Sequence, residues 1–373
     1  MILPESHIQK LFDRLAQSAT SFALYRLPWT DEPILVLQKE GEAEAFDDLS
    51  ELNGKKGFVL APFHRTESHP IVLIRPDIVA HEWELIIQEV CHIFPQASDV
   101  AIQNGTDSAI CMDTPEENKQ HYEEAFARFI APLQQKTFKK LVLSRHCTQP
   151  APEGFSPLAA FVRACNSYPR MMISLCHTPQ TGTWIGSTPE IILSGQEKLW
   201  HTVSLAGTMP MQGESIPTEW STKNQEEQAF VSEYIRKCVK QFGSQVTEKG
   251  PYTARAGHVV HLKTDFHFSL KETGHLGDLL KTLHPTPAVC GLPKQLAYDF
   301  ILENEHYDRS YYSGIIGWLE PEGHTTLYVN LRCMKIEDKQ ITFYAGGGIL
   351  PSSVADSEWE ETQQKMNTMR HIL

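Results

Sequence analysis

The chain has 373 residues, 41% hydrophobic and 21% charged, the make-up of an ordinary globular protein with ample material for a core. Its formal net charge of −13 excludes nucleic acid as a general partner, since phosphate binding wants clustered Lys and Arg. An anionic small substrate held by a local basic group or a metal stays open. Eight cysteines (Cys91, Cys111, Cys147, Cys165, Cys176, Cys238, Cys290 and Cys333) show no CxxC and no His/Cys cluster, which suits reduced thiols in a cytosol. No apolar run approaches the roughly 20 residues that span a bilayer, so no membrane association is expected. The N-terminus carries Glu5 and Asp13 inside an amphipathic pattern and reads as a helix, not a signal peptide. A cytoplasmic location is the expectation.

In chain order, a first helix is predicted over Glu5 to Gln17, followed by short β-rich runs at Phe22 to Arg26, Pro33 to Gln38, Gly57 to Pro62 and Pro70 to Arg75. A polar patch, Asn104 to Asn118, is either a domain boundary or a loop within one domain, and a helix follows over Glu116 to Gln135. Lys139 to His146 reads as a strand, Pro157 to Asn166 as a helix and Met172 to Cys176 as a strand. Thr183 to Ser187 and Glu190 to Leu193 read as a hairpin-like pair around Thr188 and Pro189. Thr202 to Ala206 is a further strand, and Ser221 to Phe242 a helix with Phe230, Val231, Tyr234, Ile235 and Val239 at helical spacing. His258 to Lys263 is strand-like, and His275 to Leu283 and Leu292 to Glu303 are helical. Gly314 to Leu319, Thr326 to Met334 and Gln340 to Tyr344 close the sheet. The expected class is α+β, with large antiparallel sheets and outer helices.

The stretch from Tyr344 to Met369 draws notice. Gly346, Gly347 and Gly348 follow a strand-like run and read as a loop able to point N–H groups at an anion. In the helix beyond, Glu358, Glu361 and Lys365 lie on one stripe at about 100° per residue, while Glu360 points away. The stripe is either a solvated face or part of a divalent-metal site, for which carboxylate oxygens are the natural ligands.

Generic nucleotide, zincin and hydrolase motifs are absent, so polar residues in apolar or Gly-rich surroundings are the remaining candidates. Lys140 starts an apolar strand, where burial would disfavour its ammonium form, although a lysine at a strand edge is also a common solvent-facing guard. Glu190, in GSTPEIIL, has apolar flanks that raise a carboxyl pKa toward the range of a general acid; a paired structural carboxylate is the alternative. Glu227 lies beside the apolar face of its helix, where it either points inward or stays at the surface. Arg332, amid an apolar strand, needs an anion, either a structural carboxylate or a substrate.

Taken together, these segments resemble the chorismate-utilising enzymes: isochorismate, salicylate, anthranilate and aminodeoxychorismate synthases. The matching pieces are KLVLSR, GSTPEIIL, LAGT, KNQEEQAFV, LHPTPAVCG, YDRSYYSGIIGW, VNLRC, AGGGI and SEWEETQQK, in register across roughly Glu116 to Leu373. The resemblance implies one intertwined domain over 1–373, of the anthranilate synthase component I-like fold, with a variable part over about 1–114 and a signature-bearing core over about 115–373. It implies a Mg²⁺-dependent site in which Glu227 and Glu361 ligate the ion directly and Glu358 acts through water. Arg332 and the backbone near Gly346 would hold the enolpyruvyl carboxylate of chorismate, with Lys365 close by, and Gly207 and Thr208 would meet the ring carboxylate.

In the isochorismate and salicylate synthases a lysine in the KLVLSR position activates water for attack at C2, whereas anthranilate synthases typically lack it and use ammonia, so the resemblance at Lys140 points to water and to no glutamine amidotransferase subunit. Glu190 would protonate the departing C4 hydroxyl. Ala288, in HPTPA, and His261 match isochorismate synthases, whereas salicylate and anthranilate synthases usually carry threonine at the Ala288 position. Asn224 departs from the pattern, since many relatives place an acidic residue three positions before Glu227, and this weakens the expected hold on Mg²⁺. The implied activity is isochorismate synthase, for menaquinone or siderophore biosynthesis, in a monomer. The alternatives are a salicylate synthase that further eliminates pyruvate and a non-catalytic metal-dependent carboxylate-binding protein.

Overall fold

The computed structural model describes residues 1–93, 114–211, 216, 219–256 and 259–373. Most of the polar patch at 104–118 and the start of the 258–263 segment lie outside the described residues. The strands are β1 (Phe22–Arg26), β2 (Pro33–Leu37), β3 (Glu44–Phe46), β4 (Gly57–Ala61), β5 (Ile71–Ile74), β6 (Ile78–His81), β7 (Lys140–Pro150), β8 (Met172–Thr178) and β9 (Gly182–Thr188). They continue with β10 (Ile191–Gln196), β11 (Leu199–Pro210), β12 (Gly243–Ala256), β13 (Val259–Leu270), β14 (Gly291–Leu292), β15 (Ile315–Leu319), β16 (Thr325–Val329), β17 (Cys333–Glu337) and β18 (Gln340–Ile349). The helices are α1 (Ser6–Leu15), α2 (Trp83–Ile93), α3 (Pro115–Gln134), α4 (Pro157–Ser167), α5 (Thr222–Phe242), α6 (Leu276–Leu283), α7 (Lys294–Asn304) and α8 (Ala355–Arg370).

Two nine-stranded antiparallel sheets result, ordered β14-β7-β18-β17-β9-β8-β1-β2-β6 and β12-β13-β11-β10-β16-β15-β4-β5-β3. Strand alternation decides what each face buries. In β1, Ala23 and Tyr25 join the core between the sheets, while Phe22 and Leu24 pack on the outer face beneath α1, α2, α4 and α8. A third cluster packs α3 and α7 against Leu141 and Leu143 of β7. The apolar run of β1 is therefore buried on both faces. No described helix is long and apolar enough to cross a membrane.

The chain changes sheet at two places that matter. Thr183 to Leu193 is not a hairpin: β9 and β10 belong to different sheets, and Thr188, Pro189 and Glu190 make the crossing. Likewise Thr326 to Met334 is not one strand, because the chain leaves the second sheet after Val329 and joins the first at Cys333, with Arg332 turning at φ +46°. The crossings are laced together by Ser187 N–H to the Arg332 carbonyl (3.0 Å), Val329 N–H to the Glu190 carbonyl (2.9 Å) and Thr188 Oγ1 to the Val329 carbonyl (2.5 Å). Glu190 and Arg332 are thereby fixed side by side at the seam between the sheets.

The triple glycine is not a loop. Gly346, Gly347 and Gly348 lie within β18, opposite Ser144, Leu143 and Val142 of β7. None has the left-handed backbone that favours glycine. Their requirement is space, most severely at Gly348, where a Cβ would sit 2.0 Å from Glu227 Oε1 and 3.0 Å from Lys140 Cε. Strand β12 went unforeseen because its polar, largely exposed sequence lacks an apolar alternation.

Candidate active site

Helix α5 begins at the N-cap Ser221, whose Oγ accepts the Asn224 N–H at 3.3 Å. Its buried residues Asn224, Glu227, Gln228, Val231 and Ile235 recur at helical spacing, so Glu227 points inward while Glu226 faces out. Glu227 meets Lys140, the first residue of β7, with Oε1 2.8 Å from Nζ. Lys140 is fully buried, so the solvent-facing guard reading of it fails. Burial pushes the Glu227 carboxyl up, but the Lys140 ammonium outweighs it, helped by Lys223 and Lys365, and holds it below the usual carboxylate value.

Helix α8 presents Glu358 and Lys365 on its buried side, so the stripe is not a solvated face. Lys365 Nζ lies 2.6 Å from Glu361 Oε1 and donates to the Gly346 carbonyl at 2.7 Å. Glu358 is held by the Lys223 ammonium, one turn before Glu227 on α5. Burial, and then the charge of Glu361, push the Glu358 carboxyl up. Lys223 escaped the sequence reading, although its spacing from Glu227 places it on the same helix face.

Glu190 is buried at the seam, and desolvation raises its carboxyl to about 7 against the opposing pull of Lys140, Arg332 and Lys365. Beside it, Arg332 Nη2 donates to His261 Nε2 at 2.9 Å. His261 Nδ1 in turn donates to the Gly207 carbonyl at 3.1 Å, with Thr208 Oγ1 at 3.3 Å. Burial, then Arg332 and Lys365, hold His261 far below its ordinary value, so it stays neutral with the proton on Nδ1. Gly207 turns at φ +72° in a bulge of β11, packed against Asn224, where a Cβ would approach the Asn224 carbonyl to 3.0 Å. Arg332 Nε is buried without a hydrogen-bond partner, a guanidinium edge suited to a carboxylate.

These residues line two adjoining cavities that share Thr208. The inner one, about 40 Å³, is bounded by Glu190, Gly207, Glu227, His261, Ala288, Tyr312, Arg332, Gly346 and Lys365 among others. The outer one, about 230 Å³, carries Glu358, Glu361, Lys223 and Asn224. The inner space suits one or two waters, not a substituted six-membered ring, so a substrate must part the walls. Lys140 stands behind Glu227 instead of lining the cavity. Tyr312, stacked on Tyr344 with centroids 5.6 Å apart, also lines it and carried no periodic signal in the sequence.

Carboxylates are the donors a hard divalent cation takes. Glu358 Oε2 and Glu361 Oε1 approach one point beside Gly347, 3.5 and 3.4 Å from where its Cβ would be, and Glu227 abuts Gly348. This convergence fits the donor set, with Glu227, Glu358 and Glu361 as the residues that would hold the ion. Among the described residues no cluster of three or more metal-ligating side chains is gathered, because a lysine pins each of these carboxylates.

A family model for chorismate binding enzymes matches residues 64–373. The isochorismate synthase DhbC of Bacillus subtilis is 30% identical over 277 residues, covering 68% of this chain and 67% of that protein. The structure of MenF, the menaquinone-specific isochorismate synthase from Escherichia coli, superposes with a TM-score of 0.75 at 21% identity, over 100% of this chain and 92% of that one. Anthranilate synthase component I from Streptococcus pneumoniae gives 0.65 at 18%, over 99% and 94%. The two structures establish the α+β, anthranilate synthase component I-like fold. The family model spans every residue of the two cavities, and the chain belongs to the chorismate binding enzymes.

Proposed function

We propose that the chain is an isochorismate synthase, adding water to C2 of chorismate and releasing the C4 hydroxyl as water, with the ring double bonds shifting between. The observation that carries this reading is Glu190: a buried carboxyl raised to about 7, and so still about half protonated at neutrality, facing the cavity against which Lys140 is packed. An acid and a base of this kind are superfluous in a mere carboxylate-binding protein.

The roles follow from position. Arg332, with its unpartnered Nε and its Nη2 steadied by His261, receives the enolpyruvyl carboxylate. Lys140, once parted from Glu227 and with its ammonium proton given up to solvent, takes a proton from the attacking water, and Glu190 gives one to the departing hydroxyl. Neutral His261 keeps the guanidinium turned into the cavity without adding charge. Ala288, on the inner wall, leaves room beside the ring.

Charge balance supports a magnesium requirement. With Glu190 holding its proton, the free site sets Glu227, Glu358 and Glu361 against Lys140, Lys223, Lys365 and Arg332, three anions against four cations. A dianionic substrate upsets this balance by two charges, which a divalent ion restores. Bound to Glu227, Glu358 and Glu361, the ion would neutralise the ring carboxylate. Water as nucleophile dispenses with an ammonia-supplying subunit. The product would serve menaquinone or catecholate siderophore synthesis.

Incubation with chorismate and Mg²⁺, with and without ammonia, tests the reading. Isochorismate without pyruvate is expected in both. Salicylate with pyruvate, an amino product, or unchanged chorismate would overturn it.

A further inference from the structure

A larger cavity, about 310 Å³, lies outside the candidate active site between α3, β7 and the turn after α7. Its lining includes His121, Arg128, Arg145, His146 and His306, against Glu124 and Glu305. Glu305 is already committed, because Arg309 clasps it at 2.6 and 2.8 Å. With Glu305 so committed, Arg128 and Arg145 stand against Glu124 alone, a local excess of one positive charge in a chain of net charge −13.

Its floor holds Arg145, which is 6% exposed. The guanidinium stacks on the Trp359 ring at 3.8 Å and donates only to neutral groups, Thr362 Oγ1 at 2.7 Å and Gln363 Oε1 at 2.9 Å. Among the described residues no carboxylate pairs with it. Burial lowers its pKa to about 10, the mark of a cation that has given up water without gaining a counter-ion. Tyr122, His146 and Tyr307 supply ring faces to the same cleft, and His146 and Tyr307 pack with centroids 4.8 Å apart. A guanidinium fork selects a planar oxyanion, and ring walls select a flat body. The volume is that of a small-molecule pocket.

The cleft also backs onto the catalytic wall. Tyr307 hydroxyl bonds Ser144 Oγ, and Ser144 N–H donates to Glu305 at 2.6 Å. Arg309, which holds Glu305, donates to the carbonyls of Val142 (2.9 Å) and Val289 (2.7 Å), two residues of the inner cavity.

We propose that this cleft is a second ligand site, distinct from the chorismate site, that takes a small aromatic carboxylate on Arg145. Benzoate titrated calorimetrically into the whole protein tests it, with inorganic phosphate as the comparison. Saturable benzoate binding is expected, weakened at least about tenfold in Arg145→Met and in Arg128→Glu, the loss expected for one charged contact. Arg128 is half-exposed, so the second variant keeps the experiment decisive if the first folds poorly. Arg332→Met and saturating chorismate with Mg²⁺ should leave benzoate affinity unchanged. Absence of saturable binding, tighter binding of phosphate, indifference to both cleft variants, or competition by chorismate would each overturn the proposal.

Discussion

Lys140 and Glu227 form a buried ion pair at the wall of the inner cavity, with Nζ and Oε1 2.8 Å apart, that joins the first residue of β7 to the inward face of α5. The residue assigned as base thus holds a residue assigned to the metal, and neither works until the other lets go. Removing one partner leaves an uncompensated charge in the interior, which typically costs about 3 kcal/mol or more. Glu227→Gln is therefore expected to lower stability by about that amount in urea denaturation without added metal. A loss below about 0.5 kcal/mol would show the pair to be no more than a surface-type contact.

Glu190 links activity to pH with a definite sign. Its folded pKa, about 7, stands above the ordinary 4.5, so the folded state binds the proton more tightly than the unfolded chain does. The stability tied to that proton is complete below about 4.5 and is lost as pH rises to about 7, a total of roughly 3 kcal/mol. Glu190→Gln stays neutral, so its stability relative to the parent should grow across that window and then level off. Parallel pH profiles of the two proteins would contradict the burial of an ionisable acid there. Activity of the parent should fall above about 7 as the acid deprotonates.

Gly348 is a matter of space. Its missing Cβ leaves room for Glu227 Oε1, which would otherwise lie 2.0 Å away. Gly348→Ala is expected to displace Glu227, costing about 1–3 kcal/mol in stability and at least tenfold in Mg²⁺ affinity by calorimetry. Parent-like magnesium binding would show that Glu227 is not a ligand.

Arg332→Lys keeps the charge but loses the fork and the bond to His261. The expected outcome is a rise in KM for chorismate of about 10–100-fold, larger than the change in kcat. A kcat loss with unchanged KM would move Arg332 from binding into the chemical step.

The sequence made the class legible through apolar strands and helical periodicities, and the site through motif segments in register. Glu227 was legible because α5 has a clear inward face, and Glu190 because of its apolar flanks. What stayed hidden were long-range pairings. Nothing local distinguishes the turn at Thr188 to Glu190 from a hairpin, since β9 pairs with β8 before it and β10 with β11 after it, and their other partners, β17 and β16, lie far along the chain. The glycines read as a loop because residue type reports freedom and crowding alike, and only the placement of Glu227 and Lys140 tells which applies. Lys223 was overlooked because a lysine near a helix start ordinarily faces water, and here Glu358 on another helix draws it inward.

The central claim is the Lys140/Glu190 base and acid pair, and its most direct test is turnover beside binding in Lys140→Gln and Glu190→Gln, with folding checked by circular dichroism. Isochorismate formation should fall by about 10²–10⁴-fold in each, while Glu190→Gln binds chorismate within a few-fold of the parent. Near-normal turnover in either variant, or a loss in Glu190→Gln confined to binding, would contradict it.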